Sequence, residues 1–163
     1  KAAESFKEDP RLEFWFVGDG SGRKRLEEMA QDLPNVRFLN PIPRKAVPAL
    51  LSLADLCILS YEPIPSFSSI LPNRFFDYLV SGKPVIICLQ KGDAFEILEK
   101  AGGGIRLDPG DVPLLRKTIL YFLEHPEEGK KMGESGRAYV LQHYLREKLA
   151  RDYFQILSKL CST

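Results

Sequence analysis

Asn73 and Asp77 stand four residues apart, so on a helix they share one face. They follow Ser66-Phe67-Ser68-Ser69-Ile70-Leu71-Pro72, a serine-bearing stretch. A loop of that kind running into a helix start presents free backbone N–H groups and a positive dipole end, which suits a diphosphate. Ser68, Ser69, Ile70, Asn73 and Arg74 are therefore candidates to hold a diphosphate and the group attached to it. Asp77, one turn into the helix, is placed to accept hydrogen bonds from two hydroxyls of a ribose on that diphosphate. The same spacing also permits an i,i+3 ion pair of Arg74 with Asp77 on a solvated face. A second candidate is Gly18-Asp19-Gly20-Ser21-Gly22, which follows an apolar run and opens an amphipathic segment. There Gly18, Asp19 and Gly20 let the backbone approach a phosphate, or simply supply a tight turn with positive φ. A nicotinamide fingerprint would want glycine where Arg23 stands and an acid where Asn40 stands. A methyltransferase loop fits the glycine spacing but meets the same Asn40. A Rossmann-like methyltransferase or oxidoreductase stays open as an alternative.

The elements that must position these residues alternate. Leu12, Phe14, Trp15, Phe16 and Val17 read as a strand, and the following segment has Leu26, Met29, Ala30 and Leu33 on one face. Residues 36–39 form a second strand and 46–54 a second helix whose Pro48 is tolerable only in the first turn. Residues 56–59 are a third apolar run, 72–80 a helix, 85–88 a fourth strand and 94–100 a helix. Gly102-Gly103-Gly104 introduces a fifth strand near Ile105. From Asp111 onward the pattern is helical, with expected breaks at Pro126 and at 133–136. A helix is also expected over 2–8, and a packed helix over 144–160 with Tyr144, Leu149, Tyr153, Ile156, Leu157 and Leu160 on its apolar stripe. Short apolar strands alternating with helices predict an α/β domain, a doubly wound parallel sheet with C-terminal helices. Ligands of such sheets sit outside the carboxyl ends of the strands, here the loops 18–22, 40–44, 60–72 and 88–93.

Composition narrows the classes. The 163 residues suit one domain, with 44% apolar and 28% charged residues. Lys plus Arg number 23 against 22 Asp plus Glu, a net charge of +1, so no basic patch argues for nucleic acid. Three widely spaced cysteines, Cys57, Cys88 and Cys161, in apolar contexts suit a reduced compartment better than a disulfide framework, and with His125 and His143 alone a histidine-rich metal centre is not expected. The longest apolar stretch, 47–61, is interrupted by Pro48, Ser52 and Asp55 and does not read as a membrane span. The opening at Lys1, directly into a helical pattern, suggests a piece of a longer protein.

Several landmarks together resemble a known family. Asp77-Tyr78-Leu79-Val80-Ser81-Gly82-Lys83-Pro84-Val85-Ile86 is similar to the E-A-M-A-x-G-x-P-V-V segment of the retaining glycosyltransferases of family 4, whose two-domain architecture is called GT-B. Phe16-Val17-Gly18-Asp19-Gly20 resembles that family's I-V-G-D-G turn, Asn35-Val36-Arg37-Phe38-Leu39 its N-V-x-F-L-G strand, and Leu53-Ala54-Asp55-Leu56 its A-D-V/L. The stretch 104–111 resembles its G-x-x-x-x-P-G-D turn, and Met132-Gly133-Glu134-Ser135-Gly136-Arg137 its M-G-x-x-G-R junction. The run from Pro72 to Pro84 fits better still the P-x-K-x-F-E-Y-L-A-x-G-K-P variant of enzymes that build bacterial surface polysaccharides from amino- or deoxysugars.

The resemblance implies the donor-binding C-terminal half of such an enzyme. It would take a nucleoside diphosphate sugar, UDP-linked by expectation, for retaining transfer into a polysaccharide or glycoconjugate, with the acceptor domain preceding this chain. It assigns Asp77 to the donor ribose and the loop holding Asn40, Ile42 and Pro43 to the base. It implies no obligatory metal and no other cofactor. It also implies a cytoplasmic location, with a membrane-associated acceptor reached through the other domain. One departure is Ser69, which stands where most members carry a glutamate that contacts the donor sugar; Glu62 is a candidate displaced substitute. A noncatalytic sugar-nucleotide-binding module is the remaining alternative. On this reading the isolated chain binds donor weakly and does not turn over.

Overall fold

Five short parallel strands form the frame of the molecule, which is seen in a computed structural model describing residues 1–61, 64 and 70–161. The strands are β1 (Phe14–Val17), β2 (Val36–Leu39), β3 (Cys57–Ser60), β4 (Val85–Cys88) and β5 (Gly104–Leu107). Helices α1 (Arg23–Met29), α2 (Val47–Ser52), α3 (Asn73–Val80) and α4 (Asp93–Ala101) fall between successive strands. Helices α5 (Val112–Glu124), α6 (Pro126–His143) and α7 (Arg146–Cys161) follow β5. The strand–helix alternation expected from the sequence is present, and β4 has the expected bounds.

The strands hydrogen-bond in two groups. β1 pairs with β2, and β3-β4-β5 form a three-stranded sheet, every pair being parallel. β4 is the centre of the second group: Val85, Ile86 and Ile87 are each 0% exposed. An uninterrupted apolar strand is what burial on both faces demands. Its odd residues Val85 and Ile87 join Leu59, Phe75, Leu79 and Leu98 in one core; Ile86 and Cys88 join Phe6, Leu107, Ile119 and Phe122 in the other. Burying an aliphatic side chain of this size contributes about 1.5–3 kcal/mol, so this half holds most of the apolar stabilisation.

Helix ends follow local chemistry. Pro48 sits in the first turn of α2, where no helical partner awaits its missing N–H, and a 3-10 turn, Arg44–Ala46, leads into it. The Asp111 carboxylate accepts from the Leu114 N–H at 2.9 Å and caps α5. Pro126 separates α5 from α6 as expected.

Three expectations are corrected. The segment 2–8 is helical only as a 3-10 turn, Ala3–Phe6, with Phe6 buried. The residues 133–136 do not break the helix: α6 runs unbroken across them. The glycines there serve close packing, since a Cβ on Gly133 would lie 2.0 Å from the Gly82 carbonyl oxygen, and one on Gly136 would lie 2.9 Å from Leu79 Cδ2. Finally, α7 forms over the expected residues but buries none of them, and Leu149, Tyr153, Ile156, Leu157 and Leu160 stay 41–69% exposed. The α1 face is likewise open, with Leu26 and Met29 exposed.

Candidate functional site

The candidate residues lie where a parallel sheet delivers them, at the carboxyl ends of its strands. Val17 ends β1 and Gly18 turns the chain with φ 128°, a left-handed region that a side chain would strain. The Gly18 N–H donates to the Leu39 carbonyl at 3.1 Å, which joins this turn to the end of β2 and the exposed Asn40. Arg23 reinforces the join. Its Nη1 donates to the Gly18 carbonyl at 2.6 Å and to the Leu39 carbonyl at 2.9 Å, while its Nε donates to Glu27 at 2.8 Å. Gly18, Asp19, Gly20, Asn40, Ile42 and Pro43 are thereby gathered on one side. Ile42 is half-buried; Asp19, Gly20, Asn40 and Pro43 are exposed.

The second group is carried by α3, seated through Phe75 and Leu79, both 0% exposed. Phe76 packs beside them with its ring 5.1 Å from that of Tyr144. With that face fixed inward, Asn73, Arg74 and Asp77 are exposed. Pro72 precedes the helix in an extended conformation and offers no side-chain cap, while its carbonyl accepts from the Phe75 N–H at 2.9 Å. Arg74 lies over the Tyr61 ring, just past the end of β3, at 5.8 Å. It makes no ion pair with Asp77, so the plain alternative for that pair is not formed. Ile70 is half-buried ahead of the helix; Glu62, Ser68 and Ser69 lie outside the described residues. No hydrogen bond or ion pair joins the Gly18 group to the α3 group among the described residues.

Two features were not foreseen as parts of the site. In the sequence Arg23 is simply the residue that stands where a nicotinamide fingerprint has glycine, although its i,i+4 spacing to Glu27 marks a side chain held back along the helix. Arg137 on α6 donates to the Val80 carbonyl at the end of α3 at 2.5 Å, and so fixes the far end of the helix that carries Asp77. A hollow lined by Ala2, Ser60, Cys88, Gly110 and Asp111 also opens at the ends of β3 and β4. Burial, with Asp111 as a nearby negative charge, pushes the Cys88 thiol above its ordinary pKa. Burial pushes Cys57 up to about 11, and Tyr78 is raised by burial as well. Among the described residues no three His, Cys, Asp or Glu side chains cluster as metal ligands, and no helix is long and apolar enough to cross a membrane.

Comparison with known proteins bears on the whole arrangement. The model of the family described as glycosyl transferases group 1 matches residues 1–139. The chain is 35% identical over 157 residues to the putative colanic acid biosynthesis glycosyl transferase WcaI of Escherichia coli (strain K12), covering 94% of this chain and 37% of that protein. It is 32% identical over 85 residues to the putative teichuronic acid biosynthesis glycosyltransferase TuaH of Bacillus subtilis (strain 168), covering 51% of this chain and 21% of that one. The fold is similar to that of Anabaena Alr3699/HepE, solved in complex with UDP-glucose, with a TM-score of 0.80 and 21% identity over 97% of this chain and 44% of that chain. The chain spans less than half the length of each of these proteins.

Proposed function

The chain belongs to the glycosyl transferases group 1, and from that premise we propose that it forms the donor-binding part of a GT-B sugar transferase using a nucleoside diphosphate sugar. The observation that carries the reading is α3: three exposed polar side chains, Asn73, Arg74 and Asp77, on a helix seated through the fully buried Phe75 and Leu79. In this role the main-chain N–H groups of Asn73 and Arg74 at the start of α3, together with their side chains, hold the diphosphate. Negative charge grows there as the sugar leaves, so fixed N–H dipoles and a guanidinium lower the barrier to departure. Asp77 accepts hydrogen bonds from the ribose hydroxyls, and the loop through Asn40, Ile42 and Pro43 receives the base. The similarity to WcaI and TuaH supports surface-polysaccharide assembly as the setting, and the UDP-glucose complex of HepE supports UDP as the carrier. Retention of the anomeric configuration, and an acceptor site on a further domain of the longer protein, complete the proposal.

Calorimetric titration of UDP and GDP into the full-length protein and its Asp77→Ala variant tests it. Loss of two hydrogen bonds to a charged group predicts a weakening of about tenfold or more for UDP. Unchanged affinity in the variant removes the ribose role of Asp77. Greater thermal stabilisation by S-adenosylmethionine or NAD than by UDP would instead favour a cofactor-dependent Rossmann enzyme.

A further inference from the structure

Arg74 is the second residue of α3 and stands three positions before Asp77, a spacing at which opposite charges ordinarily pair along a helix. Among the described residues the pair is not formed. The guanidinium carbon lies 5.8 Å from the centre of the Tyr61 ring instead, within the roughly 6 Å over which an aromatic face attracts a cation.

Tyr61 is a firm support for that contact. It follows β3 directly, and its N–H donates to the Cys88 carbonyl at 3.4 Å, which carries the β3–β4 ladder one residue beyond Ser60. Its half-buried ring packs on the core that holds Leu59, Phe75 and Leu79. Phe75 is the neighbour of Arg74 in sequence and is 0% exposed, so the ring and the helix that bears the guanidinium rest on one buried cluster. Tyr78 of α3 belongs to the same surroundings: burial raises its phenol above the ordinary value, and Arg74 is the cation that opposes the rise. An arginine side chain loses much rotamer freedom when it is fixed on a ligand, and one already held in the right rotamer loses less.

We propose that Tyr61 is a positioning residue of the donor site: its ring is a shelf that holds the Arg74 guanidinium beside the start of α3 and out of ion-pair reach of Asp77. The cation is thereby left for the diphosphate and the carboxylate for the ribose. Tyr61 acts through Arg74 and not on the donor itself. The inference rests on the donor reading given above. A cation–π contact of this kind raises the population of the held rotamer by about two- to fivefold, and the apparent affinity for the diphosphate rises in the same proportion.

Calorimetric titration of UDP into the full-length protein and four variants tests it. Tyr61→Phe keeps the aromatic face and is expected to bind UDP as the native protein does. Tyr61→Leu keeps an apolar side chain on the core but loses that face, and is expected to weaken UDP binding by about two- to fivefold. Tyr61→Met takes its place if the leucine variant does not fold. Arg74→Ala is expected to weaken binding at least as much, and adding Tyr61→Leu to it to cost nothing further. A tyrosine that only supported the fold would weaken binding by the same factor with or without Arg74. That result, equal losses in the Phe and Leu variants, or native affinity in Tyr61→Leu beside a weakened Arg74→Ala, overturns the shelf and leaves the donor reading standing. Native affinity in Arg74→Ala overturns both the shelf and the diphosphate role of Arg74.

Discussion

β4 and β1 are both four-residue strands made almost wholly of apolar side chains, yet Val85, Ile86 and Ile87 are 0% exposed while Trp15, Phe16 and Val17 are 39–45% exposed. The residues are of the same kind; the surroundings are not. β4 has a bonded neighbour on each side and helices over both faces, whereas β1 has β2 alone and a seven-residue helix that buries nothing. Apolar content thus states a requirement for cover, and only the β3-β4-β5 half meets it within these residues. The helix bearing Asp77 belongs to the covered half, and the Gly18 turn to the uncovered one.

The sharpest way to break the comparison is to truncate one aliphatic side chain in each half. Leu79→Ala leaves a cavity in the tighter core and is expected to cost about 2–5 kcal/mol in denaturant unfolding, against less than about 1 kcal/mol for Val17→Ala. Equal losses would mean that the two halves are equally packed. Glycine substitutions come next. Gly133→Ala drives a Cβ toward the Gly82 carbonyl and is expected to cost about 1–3 kcal/mol, whereas nothing lies within 4 Å of a Cβ at Gly20, where alanine should change stability by less than about 0.5 kcal/mol.

A smaller effect concerns pH. Cys57 has its pKa raised by burial from 9.0 to about 11, so its neutral thiol is favoured in the folded state. That contribution is complete below pH 9 and is lost as pH rises through about 11, because the unfolded chain ionises first. Cys57→Ala should flatten the decline of stability across that window, and an unchanged slope would contradict the burial assigned to this residue. The last test is the mildest: in the native protein at pH 8 a thiol reagent should label the exposed Cys161 and leave the buried Cys57 and Cys88 untouched. Labelling of Cys88 at the same rate would show the covered half to be open.

Much of the covered half was legible from sequence. The start of β4 follows from its apolar run after Pro84, and the inward face of α3 from the spacing of Phe75 and Leu79. What escaped depended on contacts between distant segments. The glycines of 133–136 read locally as a break because glycine disfavours a helix by about 1 kcal/mol. The structure uses them where α6 presses on the backbone at Gly82 and on Leu79. The apolar stripe of α7 was expected to be packed, but periodicity names a face and not the surface that meets it. At the site, Asp77 on an exposed face was foreseen from spacing, whereas the Arg23 clamp on Gly18 and Leu39 was not, since nothing local pairs an arginine with a carbonyl sixteen residues on.

The glycine seat between α3 and α6 also has a mechanical side. α6 is 18 residues and about 27 Å long, and Gly133 seats it on the backbone at Gly82, just after α3, some ten residues short of its end at His143. Backbone contact at Gly82 and the Arg137 bond to the Val80 carbonyl hold the C-terminal end of α3 against α6. A tilt of about 5° at the seat moves the far end by roughly 1 Å, to the point where Tyr144 and the exposed α7 begin.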